Sequence, residues 1–586
     1  MDKRLERILP RVQKPARYVG GEFNAIMKDK SKVDTRVAFC FPDTYEIGMS
    51  NLGMRILYGV MNNIEGVWCE RCFAPWGDME QEMRNANIPL YALESFDPIK
   101  DFDIIAFSIG YEMAFPAMVD MLDLAGVPLH ASERTALTPL VVAGGTAMYN
   151  CEPIADFIDL ALIGEGEEMD VELIELHRQA RREGWSKHEF LVCAAQIPGV
   201  YVPSLYDVVY NDDGTVKSIT ANEGAPKVVL KRIMRDMDKA YYPTKTIVPS
   251  TEIVQDRVSL ELFRGCIRGC RFCQAGYVYR PVRNRSEELL RGYAVEAVED
   301  SGYQDMTLSS LSTSDYPHLV ELCDDLEDFC AQRHVTLALP FAPEAGTQRL
   351  RDAINKNLTE EDLLESCRRA FAGGYSAVKL YFMLGLPTET DEDVLGIADI
   401  AAHVMHAWRE SALNKTRGVR ITVSTSWFVP KPHTAFQWEP QIPIEEYERR
   451  VKLLREAMNT KSVTYNWHPS PTSFMEAVIS CGDRRLGKVI ETAWRKGETL
   501  SAWEDYFDLN RWMEAFEECG LDPHFYANRR RSEDEILPWS MISCGVAPGY
   551  LKREHALSYE GVTTPDCRTH CNACGANCLV GGKCDV

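Results

Sequence analysis

Ten residues constrain this chain more than any others: Arg264-Gly265-Cys266-Ile267-Arg268-Gly269-Cys270-Arg271-Phe272-Cys273. They set three cysteines at C-x3-C-x2-C, directly after an apolar run at 260–263 that reads as a strand. Thiolates at such spacings bind iron–sulfur clusters, and a closed [4Fe–4S] site takes four of them. Three leave one iron open to a substrate or cofactor, as catalytic zinc keeps an open position. Gly265 and Gly269 let the backbone wrap closely around a bound group. A zinc site short of its fourth ligand is the competing reading, disfavoured because structural zinc ordinarily has four.

The compartment agrees. The chain opens on MDKRLERILPRVQK, charged and without the apolar stretch of a signal peptide. No run of about 18 apolar residues occurs, so no membrane span is expected and the location reads as cytoplasmic. There, 19 cysteines in 586 residues call for metal or redox use before disulfides. Five of them crowd into 567–584. Lys plus Arg is 64 against 87 for Asp plus Glu, a net charge of −23, which counts against a protein that grips nucleic acid over its whole surface.

Four pieces follow from the patterning. In residues 1–200, short apolar runs at 36–41, 103–108, 140–143 and 158–163 alternate with helical patterns at 51–63 and 114–125. That rhythm implies a parallel, doubly wound sheet with ligands outside the strand C-termini. Those ends carry Pro42, Ser108, Gly144-Gly145 and Gly164-Glu165-Gly166. Residues 201–250 form a connector with a hairpin at Asn211-Asp212-Asp213-Gly214. Residues 251–480 repeat the strand–helix rhythm, with strands expected at 260–263, 306–309, 336–339, 377–382 and 419–424, which suits a full or partial (β/α) barrel of TIM type. Residues 481–586 are mainly helical and end in the cysteine-rich tail. Trp494, Trp503, Trp512 and Trp539 read as core or interface anchors. Asn528-Arg529-Arg530-Arg531 reads as a solvated face.

Cys266, Cys270, Phe272 and Cys273 resemble the C-x3-C-x-aromatic-C motif of the radical S-adenosylmethionine (SAM) superfamily. The resemblance implies a partial (β/α)6 barrel whose [4Fe–4S] cluster binds S-adenosylmethionine, cleaves a carbon–sulfur bond on reduction, and yields a 5′-deoxyadenosyl radical. It implies a reductant partner such as flavodoxin or ferredoxin. It also implies cofactor contacts from Ser309 and Ser310 after the second strand, from Glu344 after the third, and from Gly385 and Pro387 after the fourth. Gly144, Gly145, Gly164, Glu165 and Gly166 resemble the N-terminal, B12-binding-like Rossmann domain of cobalamin-binding radical SAM proteins. The D-x-H-x-x-G that carries a cobalt-binding histidine is missing there, so the domain either holds cobalamin without such a ligand or is vestigial.

The tail repeats the first spacing, Cys567-x3-Cys571-x2-Cys574, and adds Cys578 and Cys584. The expected ligands are Cys567, Cys571, Cys574 and Cys578, for a second iron–sulfur cluster or a zinc ion; spacing does not separate the two. With the first resemblances, this tail is similar to that of uncharacterised radical SAM proteins with a B12-binding-like domain. The reading is a radical SAM enzyme acting on an unknown RNA, protein or small molecule, by methyl transfer if cobalamin binds. The alternatives are a sulfur-inserting enzyme and a non-catalytic iron–sulfur or corrinoid carrier or redox sensor.

Overall fold

The computed structural model describes residues 3–333, 341–416, 418–458, 460–582 and 584. The first apolar runs form one sheet. β1 (Thr35–Phe41) lies between β2 (Val67–Phe73) and β3 (Ile104–Ser108), and β4 (Leu140–Gly144), β5 (Leu160–Leu162) and β6 (Val200–Tyr201) extend it. The order is β2-β1-β3-β4-β5-β6, parallel throughout except β5–β6. Strands buried on both faces read as continuous apolar runs; β2, buried along its whole length, does not, because Glu70 and Arg71 interrupt it, paired with Arg36 and with Glu22 and Glu94. The helices fall where the periodicity puts them. Asn51 caps Leu52–Asn62 by accepting from the Met54 amide at 2.9 Å, and Gly126, at φ 72°, closes Phe115–Ala125.

The hairpin forms between β7 (Tyr206–Tyr210) and β8 (Val216–Ala221). β9 (Val229–Leu230) then runs toward the second region. There, β10 (Val258–Glu261) is followed by β11 (Phe263–Arg264), β12 (Arg283–Asn284) and β13 (Met306–Ser309); β10 pairs in parallel with β13 and β11 antiparallel with β12. The expected strand at 260–263 is thus two short ones. The break falls at Leu262, whose amide donates to Ser309 and whose carbonyl accepts from Arg285. The expected strand at 336–339 lies outside the described residues. β14 (Phe341–Glu344), β15 (Ala377–Leu384), β16 (Arg420–Trp427) and β17 (Val463–Trp467) form a parallel sheet in chain order. β17 escaped the sequence reading because it is a short edge strand with no buried residue, so Val463, Tyr465 and Trp467 do not form an apolar run.

The last piece wraps back over both regions. β18 (Ile542–Ser543) pairs with β9. Indole N–H groups of Trp494 and Trp503 reach Asp120 and Asp43 of the first region at 3.0 and 2.8 Å; Trp512 donates to Glu498 and Trp539 to Gln437. The four tryptophans are anchors, as read. The basic run is a solvated face only in part: Arg530 is exposed and pairs with Glu439, Arg529 pairs with Glu535, and Arg531 is buried, donating to the Trp438 and Tyr526 carbonyls.

The class is therefore mixed α/β with predominantly parallel sheets. Among the described residues no helix is long and apolar enough to cross a membrane.

Candidate functional site

The carboxyl ends of β1, β3 and β4 open into a cavity of about 470 Å³. Gly144, Gly145, Gly164, Glu165 and Gly166 line it from the first region, and Ser309 and Ser310 close it from the end of β13. The sequence had placed these residues in two different cofactor sites; the fold brings them to one space.

Their roles differ. A side chain on Gly145 would drive its Cβ to 2.4 Å from the Ile109 carbonyl, and one on Gly164 to 2.1 Å from that of Arg232. Packing demands both glycines. At Gly144 a Cβ would meet only Leu162, at 3.9 Å, so its missing side chain leaves room for a ligand. Glu165 lines the wall, but its carboxylate is occupied by Arg283 at 2.8 Å, Arg264 at 3.2 Å and the Met234 amide at 2.7 Å. Burial alone would raise this carboxyl; Arg283 and Arg264 outweigh it and hold it at about 2. Glu165 therefore ties the first region to the strands around the cysteine loop. Asp170, one turn into the helix Gly166–Glu183, also faces the cavity, and burial followed by the nearby Glu167 pushes it up to about 7.

The cysteine loop begins at the cavity wall, where Arg264 and Gly265 line it. Arg264 pairs with Glu261 at 2.9 Å and Glu167 at 2.6 Å. The Arg268 amide points at Cys266 Sγ and the Gly276 amide at Cys273 Sγ, both at 3.4 Å. Cys270 and Cys273 are electrostatic neighbours of Cys266; burial pushes Cys270 up to about 12, against the pull of Lys356. Among the described residues no three His, Cys, Asp or Glu side chains converge tightly enough for one ion. Thiols with amide donors and a lysine at hand suit an anionic cluster.

Glu344 ends β14 at φ 69°, a left-handed backbone that a non-glycine residue adopts only under constraint. It pairs with Lys356 at 3.2 Å, and both act on Cys270 and Cys273. Burial raises the Glu344 carboxyl and Lys356 partly offsets this. Lys356 was missed from the sequence; it lies in a turn, 12 residues past its partner, with no periodic signal. Phe272 packs against a buried cluster that includes Leu350, Leu386 and Phe428, which draws the Gly385–Pro387 turn to the loop. The Gly385 amide is capped by Glu389 at 2.7 Å, and Glu389 pairs with Arg450. Gly385 and Pro387 do not line the cavity.

The loop is also held from the tail. Arg271, fully buried, pairs with the equally buried Glu554 at 3.2 Å and donates to the Val562 carbonyl at 2.7 Å. Asn355 bridges the Gly269 carbonyl and the Thr564 amide. The Cys567 amide donates to the Ile267 carbonyl at 3.2 Å. Cys567, Cys571 and Cys574 are electrostatic neighbours; Cys571 is exposed, and so is Cys578 on the turn Ala576–Val580.

Residues 53–203 match the family described as radical SAM proteins, N-terminal. An uncharacterized protein of Methanocaldococcus jannaschii, MJ0966, is 27% identical over 514 residues, which span 84% of this chain and 98% of that protein. Among solved structures, the radical S-adenosylmethionine methyltransferase TsrM from Kitasatospora setae, with cobalamin and a [4Fe–4S] cluster bound, aligns at TM-score 0.42 and 13% identity over 67% of this chain and 72% of that one. HydG, a maturase of the [FeFe]-hydrogenase, aligns at TM-score 0.26 and 13% identity, covering 53% and 84%.

Proposed function

The chain belongs to the radical SAM superfamily, and on that premise we propose that it is an enzyme that cleaves S-adenosylmethionine reductively and modifies a substrate held in the cavity. The observation that carries this reading is the shared wall: the loop bearing Cys266, Cys270 and Cys273 starts from the same residues, Arg264 and Gly265, that line the cavity. The donor set fits a [4Fe–4S] cluster with one open iron, which when bound supplies the electron that breaks the carbon–sulfur bond. The chain's own residues do the rest. Amides of Arg268 and Gly276 offset negative charge on the sulfurs. Glu344 and Lys356 form a half-buried charged pair that acts on Cys270 and Cys273, suited to the amino and carboxylate groups of S-adenosylmethionine. Ser309 and Ser310 offer hydroxyls at the cavity mouth.

In this reading the first sheet is a B12-binding-like Rossmann domain, and β10 with β13 to β17 are the six strands of a partial (β/α)6 barrel. The cavity sits where such sheets bind ligands, and Gly144 leaves space there. Among the described residues no histidine lines it: His130 faces Glu491, and His177 is buried against Phe190. Cobalamin, if it binds, would take no histidine ligand from those residues, and it would bring methyl transfer to an unactivated carbon. A one-electron donor such as flavodoxin or ferredoxin would reduce the cluster.

The test is anaerobic reconstitution with dithionite and S-adenosylmethionine. 5′-Deoxyadenosine forms with the native chain and not with the Cys266→Ala/Cys270→Ala/Cys273→Ala variant. Cobalt is retained after gel filtration with hydroxocobalamin and lost in Gly144→Leu. Product formation that survives loss of all three thiols sinks the reading; cobalt absent from the native chain sinks its methyl-transfer part.

A further inference from the structure

The parallel sheet β14 to β17 is covered by helices on one face. Val378, Leu380 and Phe382 of β15 and Ile421 and Val423 of β16 are buried against the helices Glu360–Ala372, Asp391–Ser411 and Ile444–Ala457. The alternate residues point the other way, because side chains along a strand take opposite faces in turn. On β15 these are exposed at Ala377, Lys379 and Tyr381, the last by 40%. Parallel sheets are ordinarily covered on both faces. A face left open and polar is room for a ligand.

The register sets the open residues side by side. Ala377 lies beside Arg420, and Tyr381 beside Ser424, which in turn lies beside Asn466 of β17. Strands about 4.8 Å apart, rising about 3.3 Å per residue, put the backbones of Lys379 and Arg420 diagonally about 8 Å apart, within reach of one anion for two long side chains. Among the described residues Lys379 and Arg420 pair with no carboxylate, and the polar groups of Tyr381, Ser424 and Asn466 make no side-chain hydrogen bond. The chain has 87 acidic residues, yet none stands on β15, β16 or β17. Further along the same face, Met383 packs into the cluster of Leu350, Leu386 and Phe428 that also takes Phe272 of the cysteine loop. The wall thus ends on that loop, four residues or about 13 Å from Lys379.

The geometry points to an anion subsite: Lys379 and Arg420 bind a phosphate or carboxylate group of a small-molecule substrate, and Tyr381, Ser424 and Asn466 line its path toward the cysteine loop. A guanidinium takes such a group through two parallel hydrogen bonds, and an ammonium adds a compact charge. None of these five residues lines the cavity. The two surfaces meet the cysteine loop at different places, the cavity at Arg264 and Gly265 and the wall at Phe272. The substrate is then an elongated anion whose charged group sits about 13 Å from the part presented to the loop. Calling the occupant a substrate rests on the radical SAM reading; the binding of an anion at this wall does not.

The test is isothermal titration calorimetry on the full chain, reconstituted anaerobically with iron and sulfide, with inorganic phosphate and succinate as probes. The native chain binds at least one of them; tighter phosphate assigns a phosphorylated substrate, and tighter succinate a carboxylate. Lys379→Met/Arg420→Met weakens that binding by at least about tenfold. Lys379→Arg keeps most of it, because the charge persists. Lys100→Met/Lys227→Met, two exposed lysines of the first region and the connector, leaves it unchanged. Circular dichroism of each variant confirms that the fold persists. No binding of either probe at about 10 mM overturns the subsite. So does a wall variant that binds as the native chain does, or an equal loss in the control pair. The titration uses no S-adenosylmethionine, so the two readings fail separately. A native chain that binds the probe and forms no 5′-deoxyadenosine keeps the anion site and loses the enzyme; the reverse keeps the enzyme and loses the site.

Discussion

The loop at 266–273 and the tail at 567–574 carry the same C-x3-C-x2-C spacing, and their surroundings make them different sites. The first offers three thiols on a loop that starts at a cavity wall, with a Glu344–Lys356 pair alongside. The second lies near the buried Arg280 and keeps Cys571 and Cys578 open to solvent. Spacing sets how many thiols a short loop can present. What neighbours them decides whether a ligand position stays open for chemistry or is closed by protein.

The comparison breaks most sharply at the thiols themselves. Replacing Cys266, Cys270 or Cys273 with alanine should lower S-adenosylmethionine cleavage by more than about 100-fold, beyond the effect typical of residues that merely orient ligands. Cys571→Ala should remove tail metal while the first loop keeps its iron. Deoxyadenosine assays with metal counts on the same samples check this; equal losses at both sites from either substitution would show one shared centre.

Next in size is the strut between the two sites. Arg271 and Glu554 are both fully buried, so Glu554→Ala strands a guanidinium and should cost about 3–5 kcal/mol. Both sites should lose metal together, because Arg271 sits in the first loop and Glu554 on the helix Pro548–Glu560 that leads into the tail. Thermal unfolding beside metal content reads this out. A stable variant with full metal would mean that the sites are mechanically independent.

A smaller change separates the open site from the closed one. Lys356→Met leaves Glu344 buried without its cation and drives that carboxyl further up. Affinity for S-adenosylmethionine should drop by about tenfold, a step of about 1.4 kcal/mol, with tail metal untouched. Calorimetric titration of the reconstituted protein measures it; unchanged affinity removes the pair from the site.

What could be read in advance follows from range. Ligand spacing, capping at Asn51 and the alternation behind β1, β3 and β4 are local, so the three thiols, the helices and the parallel sheets were legible. Partners far apart in the chain were not: Arg271 with Glu554 is separated by 283 residues, and Arg530 with Glu439 by 91. The basic run at 529–531 looks like a solvated face to any pattern that cannot see Glu439 and Glu535. The splitting of the strand before Cys266 likewise depends on Leu262 meeting Ser309 and Arg285 across the fold.

The finest distinction between the two ends is the sign of the charge each one buries. The tail buries Arg280, while the cavity buries Asp170, an acid at about 7 because burial and Glu167 disfavour its charge. Unfolded, an aspartate titrates at about 3.9. Between those values the folded chain keeps a proton that the unfolded chain has lost. The contribution of this group to stability is therefore fully present below about pH 4 and is lost as pH rises to about 7. Asp170→Asn keeps the shape and removes the titration. Melting temperatures measured from pH 5 to pH 7.5 should fall more steeply for the native chain than for the variant. Parallel curves would mean that Asp170 is already ionised in the fold, and that the cavity floor is wet and tolerant of anions.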